Sequence, residues 1–281
     1  MSVVDEETFL LSDFALARRL ERAEGEACAR FVEARARVFP ESKAEWVEVA
    51  GTYVIFDTVS SPVTQTFGLG LFHKVGSSEM DKIEEFFHKR GAPVVHEVSP
   101  LADTGVLALL KERSYQPVEF SSVMYRPIHI DPSVTAACDE KIFVRLLGKG
   151  EEELWAKICA RGWDGSAELA DFLREASQIN AQRTGAFSFL AELAGVPIAT
   201  GVLSIQGDIS LLAGACTVPE GRKQGAQLAL LKERLRVAAE QGCNLAMMCA
   251  PPGSASQRNA ERHGFRIAYT RIKWELAPPA R

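Results

Sequence analysis

A loop between a strand-like run and a helix-like run constrains the fold of this chain more than any other stretch. The apolar residues Leu211 to Val218 predict a buried strand, which Pro219 ends, and the apolar residues Leu228 to Leu231 predict a helix. The loop that joins them reads Arg222-Lys223-Gln224-Gly225-Ala226-Gln227. Because the first N–H groups of a helix have no partners within the helix, a helix start beside two cations predicts a site for phosphate.

The elements after this loop follow one another in a regular order. The helix is expected to end at Gly242, and the apolar run Leu245 to Ala250 predicts a strand that Pro251 stops. Ser254 then caps a short predicted helix, and Gly264-Phe265 begins a last strand. The C-terminal part of the chain is therefore predicted to contain a strand, the loop, a helix, a strand, a helix and a strand.

With these residues the chain resembles the GNAT superfamily of acyl-CoA-dependent N-acetyltransferases. The family's phosphate loop reads Arg/Gln-x-x-Gly-x-Gly/Ala, which this chain matches from Arg222 onward except that Gln227 stands in place of the last small residue. A second family signature, a short helix followed by Gly-Phe and a strand, is matched by Ser256 to Phe265. The resemblance covers roughly residues 141–276. It implies an α/β (α+β) fold with a mixed central sheet flanked by helices.

An earlier stretch of the chain repeats this plan. A strand-like run and a short helix separate Gly91 from Tyr115, which lies 24 positions on, whereas Gly242 and Phe265 are 23 positions apart. We interpret the repeat as a divergent internal duplication, with a degenerate GNAT-like copy in residues 1–127 and a catalytic copy in residues 128–281. A coincidental repeat of α/β units is the alternative. The first copy has no Arg-x-x-Gly loop, so we expect only the second copy to bind acetyl-CoA.

The resemblance implies a set of residues that bind acetyl-CoA. In the family the central strand parts from its neighbour, and its free backbone groups pair with the pantetheine arm. By position this role falls to Cys216, Thr217 and Val218. The pyrophosphate is expected on the loop and the helix start, at Arg222, Lys223, Gln224, Gly225, Ala226 and Gln227. Asn259 is expected to contact the CoA arm.

The acid and the base of acetyl transfer are harder to place. Many GNAT enzymes protonate the departing thiolate with a Tyr four residues before the Gly of Gly-Phe, where this chain has Ala260. Tyr269 on the following strand is one substitute, and water is another. The central strand holds no carboxylate, and Glu192 and Glu220 are predicted to be solvated loop residues, so the base stays unassigned. A covalent acyl-Cys216 is disfavoured because no His or Asp is spaced to activate that thiol.

Composition excludes several other classes of protein. The net charge of −5 and the pI near 5.7 provide no basic surface for nucleic acid. The acidic N-terminus and the absence of a long apolar run predict neither a signal peptide nor a membrane span. The six scattered cysteines lack the spacing of a metal site or a disulfide framework. We therefore expect a cytoplasmic protein with free thiols and without a metal.

Together these features predict an N-acetyltransferase that moves the acetyl group of acetyl-CoA directly to a primary amine of a small molecule or a peptide, as a monomer or a homodimer. Ala260 and the unassigned base favour one alternative, a non-catalytic acyl-CoA-binding or sensing module. A purely structural protein is a second alternative. A P-loop nucleotidase is disfavoured because the loop lacks the Gly-Lys-Ser/Thr ending that holds phosphate-bound Mg²⁺.

Overall fold

Two repeats of one order of elements make up the described chain, which in this computed structural model comprises residues 12–128, 141–163 and 167–276. The N-terminal copy contains α1 (Phe14–Val38), β1 (Glu45–Val49), β2 (Thr52–Phe56), β3 (Gln65–Phe67), α2 (Ser77–His88), β4 (Val95–Val98), α3 (Thr104–Glu112) and β5 (Tyr115–Pro127). The C-terminal copy contains β6 (Ile142–Leu146), α4 (Glu152–Trp163), α5 (Ala167–Gln182), β7 (Ala186–Leu193), β8 (Val196–Gln206), β9 (Ile209–Thr217), α6 (Ala226–Glu240), β10 (Leu245–Ala250), α7 (Ala255–Arg262) and β11 (Arg266–Leu276). The order β1-β2-β3-α2-β4-α3-β5 recurs as β7-β8-β9-α6-β10-α7-β11, which confirms the predicted α/β fold in two tandem copies.

The described strands belong to one mixed sheet, in which the two copies exchange their last strands. The order across the sheet is β1-β2-β3-β4-β11-β5-β10-β9-β8-β7-β6. The β5 strand of the first copy pairs antiparallel with β10 and β11 of the second. In return, β11 lies between β4 and β5 of the first copy. The boundary predicted between residues 127 and 128 therefore divides the chain but not the sheet, and it stays a prediction.

Alternating side chains place helices on both faces of this sheet. In β2, Val54 and Phe56 belong to the core beneath α2 and α3, whereas Tyr53 and Ile55 belong to the core beneath α1. The same alternation continues across the sheet, so α2, α3, α6 and α7 cover one face and α1, α4 and α5 cover the other. In the part of the chain that the structure describes, no helix is long and apolar enough to cross a membrane.

A buried ion cluster ties α1 to the middle of the sheet. Arg271 of β11 forms a two-point contact with the carboxylate of Glu24, with N–O distances of 2.6 and 2.9 Å. Its guanidinium also lies 3.4 Å from Glu21 of α1 and 3.0 Å from Glu97 of β4. Three carboxylates thus surround one arginine. Removing one partner from such a cluster leaves a buried charge uncompensated, so the cluster fixes where α1 crosses the sheet.

Glu21 is the most deeply buried acid of the cluster. Its burial raises the pKa of the carboxyl from 4.5 to about 7, although the charge of Arg271 acts in the opposite direction. One carboxylate oxygen accepts from the Tyr269 hydroxyl, and the other has no hydrogen-bond partner among the described residues. Ionising Glu21 is therefore unfavourable in the folded state.

The raised pKa of Glu21 predicts a pH-dependent stability. An acid whose pKa is raised by folding stabilises the protein at low pH, and this contribution is lost as pH rises from about 4.5 to about 7. Glu21→Gln removes the titration. Between pH 5 and pH 8 we therefore expect the stability of Glu21→Gln relative to wild type to increase by about 2.5 kcal/mol, measured by urea unfolding.

The control for this measurement is Glu41→Gln, which changes an exposed carboxylate. We expect the difference between this variant and wild type to vary by less than about 0.5 kcal/mol over the same pH range. A stability difference for Glu21→Gln that is independent of pH would contradict the account of the buried cluster.

The exchange of strands predicts that the C-terminal copy does not fold alone. A fragment of residues 128–281 lacks β5, so β10 and β11 each lose a paired neighbour and expose a sheet edge. We expect this fragment to aggregate or to melt without a cooperative transition, as measured by size-exclusion chromatography and circular dichroism. Co-expression with residues 1–127 should restore a cooperative melt. An isolated fragment that is monomeric and melts cooperatively would show that the exchanged strand is dispensable.

Candidate active site

The C-terminal strands β9 and β10 part from each other partway along β9. They pair in parallel at three positions, the last of which joins Leu211 to Met247. Beyond that pair β9 continues to Thr217, and no described strand lies against its β10 side. Backbone groups on that side are therefore available to a ligand that runs alongside β9 as an added strand would.

A bulge in β9 accompanies the separation. Across the β8–β9 pair, Val202 lies opposite Ala213 and Thr200 lies opposite Cys216, so β9 carries one extra residue in this interval. Within the bulge Gly214 has a φ of 58°, a left-handed conformation that favours glycine. Because a bulge bends the strand that carries it, the end of β9 turns away from β10.

A buried arginine of α6 lies at this bulge. Arg234 donates hydrogen bonds to the carbonyl of Val202 at 3.3 Å and to the carbonyl of Ala213 at 3.4 Å. No carboxylate in the described ranges lies within ion-pair distance of its guanidinium, which is 4% exposed. Burial lowers the pKa of Arg234 to about 10, so the side chain is still charged at neutral pH. It places an uncompensated positive charge beside the gap between the strands.

The loop before α6 presents backbone donors and cations together. Gly225 is the N-cap residue of α6 with a φ of 87°, and no side chain caps this helix start. Lys223 is also left-handed, with a φ of 62°, and such loops turn successive N–H groups toward one point. Three exposed cations, Arg222, Lys223 and Arg262, stand around the loop and form no ion pair with any residue that the structure describes. The arrangement is suited to bind phosphate.

The equivalent helix start in the N-terminal copy is blocked by its own chain. The α2 helix begins after Gly76 as α6 begins after Gly225. The carboxylate of Glu79 accepts a hydrogen bond from the Gly76 N–H at 3.0 Å. The strands β3 and β4 of this copy are equivalent to β9 and β10. They are joined by a hydrogen bond of 2.8 Å between Thr66 Oγ1 and His96 Nδ1. This copy therefore presents a carboxylate to a phosphate where the C-terminal copy presents N–H groups.

One cavity of about 1060 Å³ extends from the loop before α6 to the opposite face of the sheet. Its lining includes both strands where they part, so it passes through the sheet at the gap. On the α6 face it is lined by residues of the loop, α6 and α7, and on the α1 face by Glu24, Ala27, Cys28, Phe31, Val63, Arg183 and Ser204. A ligand bound at the loop can thus present its far end on the α1 face.

Most of the predicted cofactor residues line this cavity, namely Cys216, Thr217, Arg222, Lys223, Gly225, Ala226, Gln227 and Asn259. Val218 and Gln224 are not among its lining residues. The Val218 N–H instead donates to the carbonyl of Ile198 in β8 at 2.9 Å. The unexpected Gln227 donates from its amide to Thr217 Oγ1 at 2.8 Å. Its side chain is therefore held against the end of β9 rather than across the helix start.

Helix α1 of the N-terminal copy forms a wall of the cavity on the face opposite the loop. Glu24, Cys28 and Phe31 are spaced along one side of this helix. Glu24 Oε2 accepts a hydrogen bond from the thiol of Cys249 at 3.5 Å. Cys249 lies two residues beyond the last β10 residue that pairs with β9. The carboxylate of Glu24 therefore stands beside the opening in the sheet.

Tyr269, the predicted proton donor, is buried next to the cavity but is not among its lining residues. Its hydroxyl donates to Glu21 Oε1 at 2.9 Å. Burial and then the charge of Glu21 raise the pKa of Tyr269 well above its usual value. Both effects weaken this phenol as an acid. Its role as direct proton donor stays a prediction, because the hydroxyl already has a partner outside the cavity.

Glu24 is the one carboxylate among the described residues that line the cavity. Glu192 pairs with Arg145 at 2.8 Å and Glu220 with Arg161 at 2.6 Å, both outside the lining. Sequence reasoning missed Glu24 because it belongs to the N-terminal copy and to no motif. The sequence did contain one signal for Glu24, since it is an acidic residue within the apolar face of a predicted amphipathic helix. Arg183 and Arg234 carry no such signal in the sequence.

No protein-family model matches the chain, and no curated protein is similar to it in sequence. Solved structures share its fold along nearly the whole chain. A GCN5-related N-acetyltransferase from Kribbella flavida has a TM-score of 0.66 at 16% identity, covering 94% of this chain and 96% of the other. A tandem GNAT protein from the clavulanic acid biosynthesis pathway has a TM-score of 0.59 at 12% identity, with 96% and 98% covered. A GCN5-related N-acetyltransferase from Sphaerobacter thermophilus has a TM-score of 0.56 at 17% identity, with 95% of each chain covered. The chain therefore has the GNAT fold, present twice in tandem.

Proposed function

We propose that this protein is an N-acetyltransferase, which moves the acetyl group of acetyl-CoA directly to a primary amine of a small molecule or a peptide. The observation that carries the proposal is the cavity that runs from the uncapped start of α6 through the gap between β9 and β10. One end offers donors for phosphate, and the other opens beside a carboxylate. Full-length likeness to solved structures of GCN5-related N-acetyltransferases supports the same activity.

In this proposal the C-terminal copy holds acetyl-CoA mainly through its backbone. The N–H groups from Lys223 to Gln227 bind the pyrophosphate, with the charges of Arg222 and Lys223 alongside. The Arg222 N–H, expected from the sequence to join them, donates instead to the carbonyl of Pro219 at 3.3 Å. Each exposed charge interaction at a helix start contributes only about 0.3–1 kcal/mol, so several donors must act together. The end of β9 at Cys216 and Thr217 runs along the pantetheine arm, and Asn259 contacts it from α7, whereas Val218, whose N–H donates to Ile198, is left out of this contact.

Acetyl-CoA supplies an activated acetyl group, so the chain needs to orient the thioester and stabilise charge. The gap between β9 and β10 holds the thioester carbonyl near the α1 face. Free N–H groups of β9 and the buried charge of Arg234 stabilise the negative charge that develops on the carbonyl oxygen. A preorganised donor of this kind contributes about 2.7–4 kcal/mol to catalysis in well-studied enzymes.

The acceptor amine must be neutral when it attacks. We assign to Glu24 the role of attracting the amine and accepting its proton, directly or through one water, because this carboxylate lines the cavity beside the gap. The departing thiolate is a fair leaving group and can take a proton from water. Tyr269, the donor expected from the sequence, is hydrogen-bonded to Glu21 and would act through that carboxylate.

The rival interpretation is an acyl-CoA-binding module without catalysis. Ala260 stands where GNAT enzymes commonly carry a Tyr, and this alanine is 2% exposed, which leaves no donor at that position. Such a module would bind acetyl-CoA in the same cavity. Saturable binding without acetyl transfer to any member of a broad panel of amines would favour it.

Calorimetric titration of acetyl-CoA tests the cofactor site. Gly225→Glu places a carboxylate at the N-cap of α6, where it fills the cradle and repels phosphate. We expect the affinity of this variant for acetyl-CoA to fall at least about tenfold, which is a loss of about 1.4 kcal/mol.

The matched control is Gly242→Glu at the other end of the same helix. Gly242 has a φ of 83° and Gly225 a φ of 87°, so both substitutions introduce similar backbone strain. Open space surrounds Gly242, and we expect this variant to bind acetyl-CoA within about twofold of wild type. Equal affinities of all three proteins would place acetyl-CoA elsewhere, and no binding by wild type would refute the proposed function.

The position of Tyr269 predicts the behaviour of Tyr269→Phe. Removing a direct proton donor typically lowers kcat by about 10²- to 10⁴-fold. Because the Tyr269 hydroxyl contacts Glu21 and does not line the cavity, we expect kcat to fall less than about tenfold. Release of free CoA with the best amine of the panel measures the rate. Tyr115→Phe in the N-terminal copy is the control, and a loss above a hundredfold confined to Tyr269→Phe would establish the acid role.

A further inference from the structure

Two opposite charges face the cavity on its α1 side. Glu24 of α1 supplies the negative one, and Arg183, which follows α5, supplies the positive one. Arg183 donates to the carbonyl of Ala27, one helical turn beyond Glu24, at 3.3 Å. Both charged groups line the same cavity, and Arg183 contacts the helical turn that follows Glu24, so one ligand in that cavity can contact both.

The guanidinium of Arg183 belongs to a half-buried side chain and has no counterion among the described residues. It donates to Ala27 and to the hydroxyl of Ser204, and its positive charge lies 5.7 Å from the centre of the Phe31 ring. No carboxylate of the described ranges lies within ion-pair distance of it. Burial, with the charge of Arg30 as a further contribution, lowers the pKa of Arg183 to about 10. A half-buried cation without an anion, facing a cavity, favours the binding of an anion there.

Around Glu24, by contrast, negative charges outnumber positive charges. Glu24, Glu21 and Glu97 all contact Arg271 in the buried ion cluster. Lys273 also contacts Glu97, at 3.5 Å. With Glu21 protonated, three carboxylates remain, those of Glu24, Glu97 and Glu119, the last of which contacts Lys273 at 2.9 Å. Two cations, Arg271 and Lys273, oppose them. Glu24 is the member of the cluster that faces the cavity, beside Cys249 at the gap. An ammonium group bound there would lie next to the position proposed for the thioester.

We propose that the acceptor is a small zwitterion, an amino acid or a compound like it, whose amino group binds at Glu24 and whose carboxylate binds at Arg183. This proposal rests on the proposed function and names the substrate class of the same site. A single guanidinium matches the single negative charge of a carboxylate and can contact both of its oxygens. The amine nearer the gap is the group that receives the acetyl.

The reaction then balances with the groups at hand. The bound ammonium loses one proton to Glu24, directly or through water, and the neutral nitrogen then forms a bond to the thioester carbon. The carbon–sulfur bond breaks, and the sulfur leaves with the electron pair. The nitrogen gives up its second proton, which the departing thiolate takes up through water. The products are an N-acetylated amino acid and free CoA. The acceptor carboxylate keeps its contact with Arg183 throughout, so it contributes to binding rather than to chemistry.

Ligand-observed NMR on the full-length protein saturated with CoA tests this proposal without turnover. The probes are the twenty L-amino acids, β-alanine and γ-aminobutyrate, each compared with its carboxamide. We expect at least one acid to bind, with its amide at least about tenfold weaker. Arg183→Gln should weaken binding of the acid at least about tenfold, and Arg183→Lys should recover part of that loss.

Arg174→Gln on α5 is the matched control, because Arg174 is an exposed arginine that pairs with Asp171 and does not line the cavity. Calorimetry with acetyl-CoA on the same preparations shows that each variant is folded and retains its cofactor site. The acceptor proposal is overturned, and the cofactor site stands, if CoA binds but no acid does, if amides bind as well as acids, or if Arg183→Gln leaves affinity for the acid unchanged. Failure of acetyl-CoA to bind wild type would refute the proposed function itself.

Discussion

The separation of β9 from β10 is the constraint on which the rest of the site depends. A continuous sheet would pair every backbone group of β9 and close the route between its two faces. The extra residue near Gly214 bends β9, and the buried Arg234 occupies the bulge by binding carbonyls of both β8 and β9. The result is a passage with an uncapped helix start and exposed cations at one end, and with Glu24 and Arg183 at the other.

Because the two copies exchange their last strands, the N-terminal copy contributes residues to the candidate site of the C-terminal copy. With β5 between β10 and β11, the sheet of the N-terminal copy continues into that of the C-terminal copy, and α1 packs beneath β9. This helix brings Glu24 to the cavity, while Arg271 of β11 holds the carboxylate in place. The N-terminal copy blocks its own helix start with Glu79, so its contribution to the proposed activity is a wall for the acceptor.

The sequence predicted the order of elements and the loop because those features have local causes. Local structure within a few residues is determined by the apolar runs, by Pro219 and Gly225, and by the Gly-Phe pair at Gly264. The interleaving of the two copies could not be predicted, since it depends on pairing between β5 and β11, whose residues are some 150 positions apart. Arg183 and Arg234 were also not predicted as site residues, because the sequence around a single arginine does not show whether its side chain is exposed or buried. Tyr269 was identified by its position on β11, and its contact with Glu21 depends on α1 crossing the sheet.

Hydrogen exchange with and without acetyl-CoA tests the central claim most directly, and the two copies provide an internal comparison. We predict that acetyl-CoA slows exchange of backbone amides in residues 212–217 and 222–228, where β9 has no neighbour on one side and α6 begins. The start of α2 at Gly76, which Glu79 already caps, should be unaffected. Protection at α2 instead, or binding of acetyl-CoA with no change along β9, would contradict the proposal that the gap between β9 and β10 holds the cofactor.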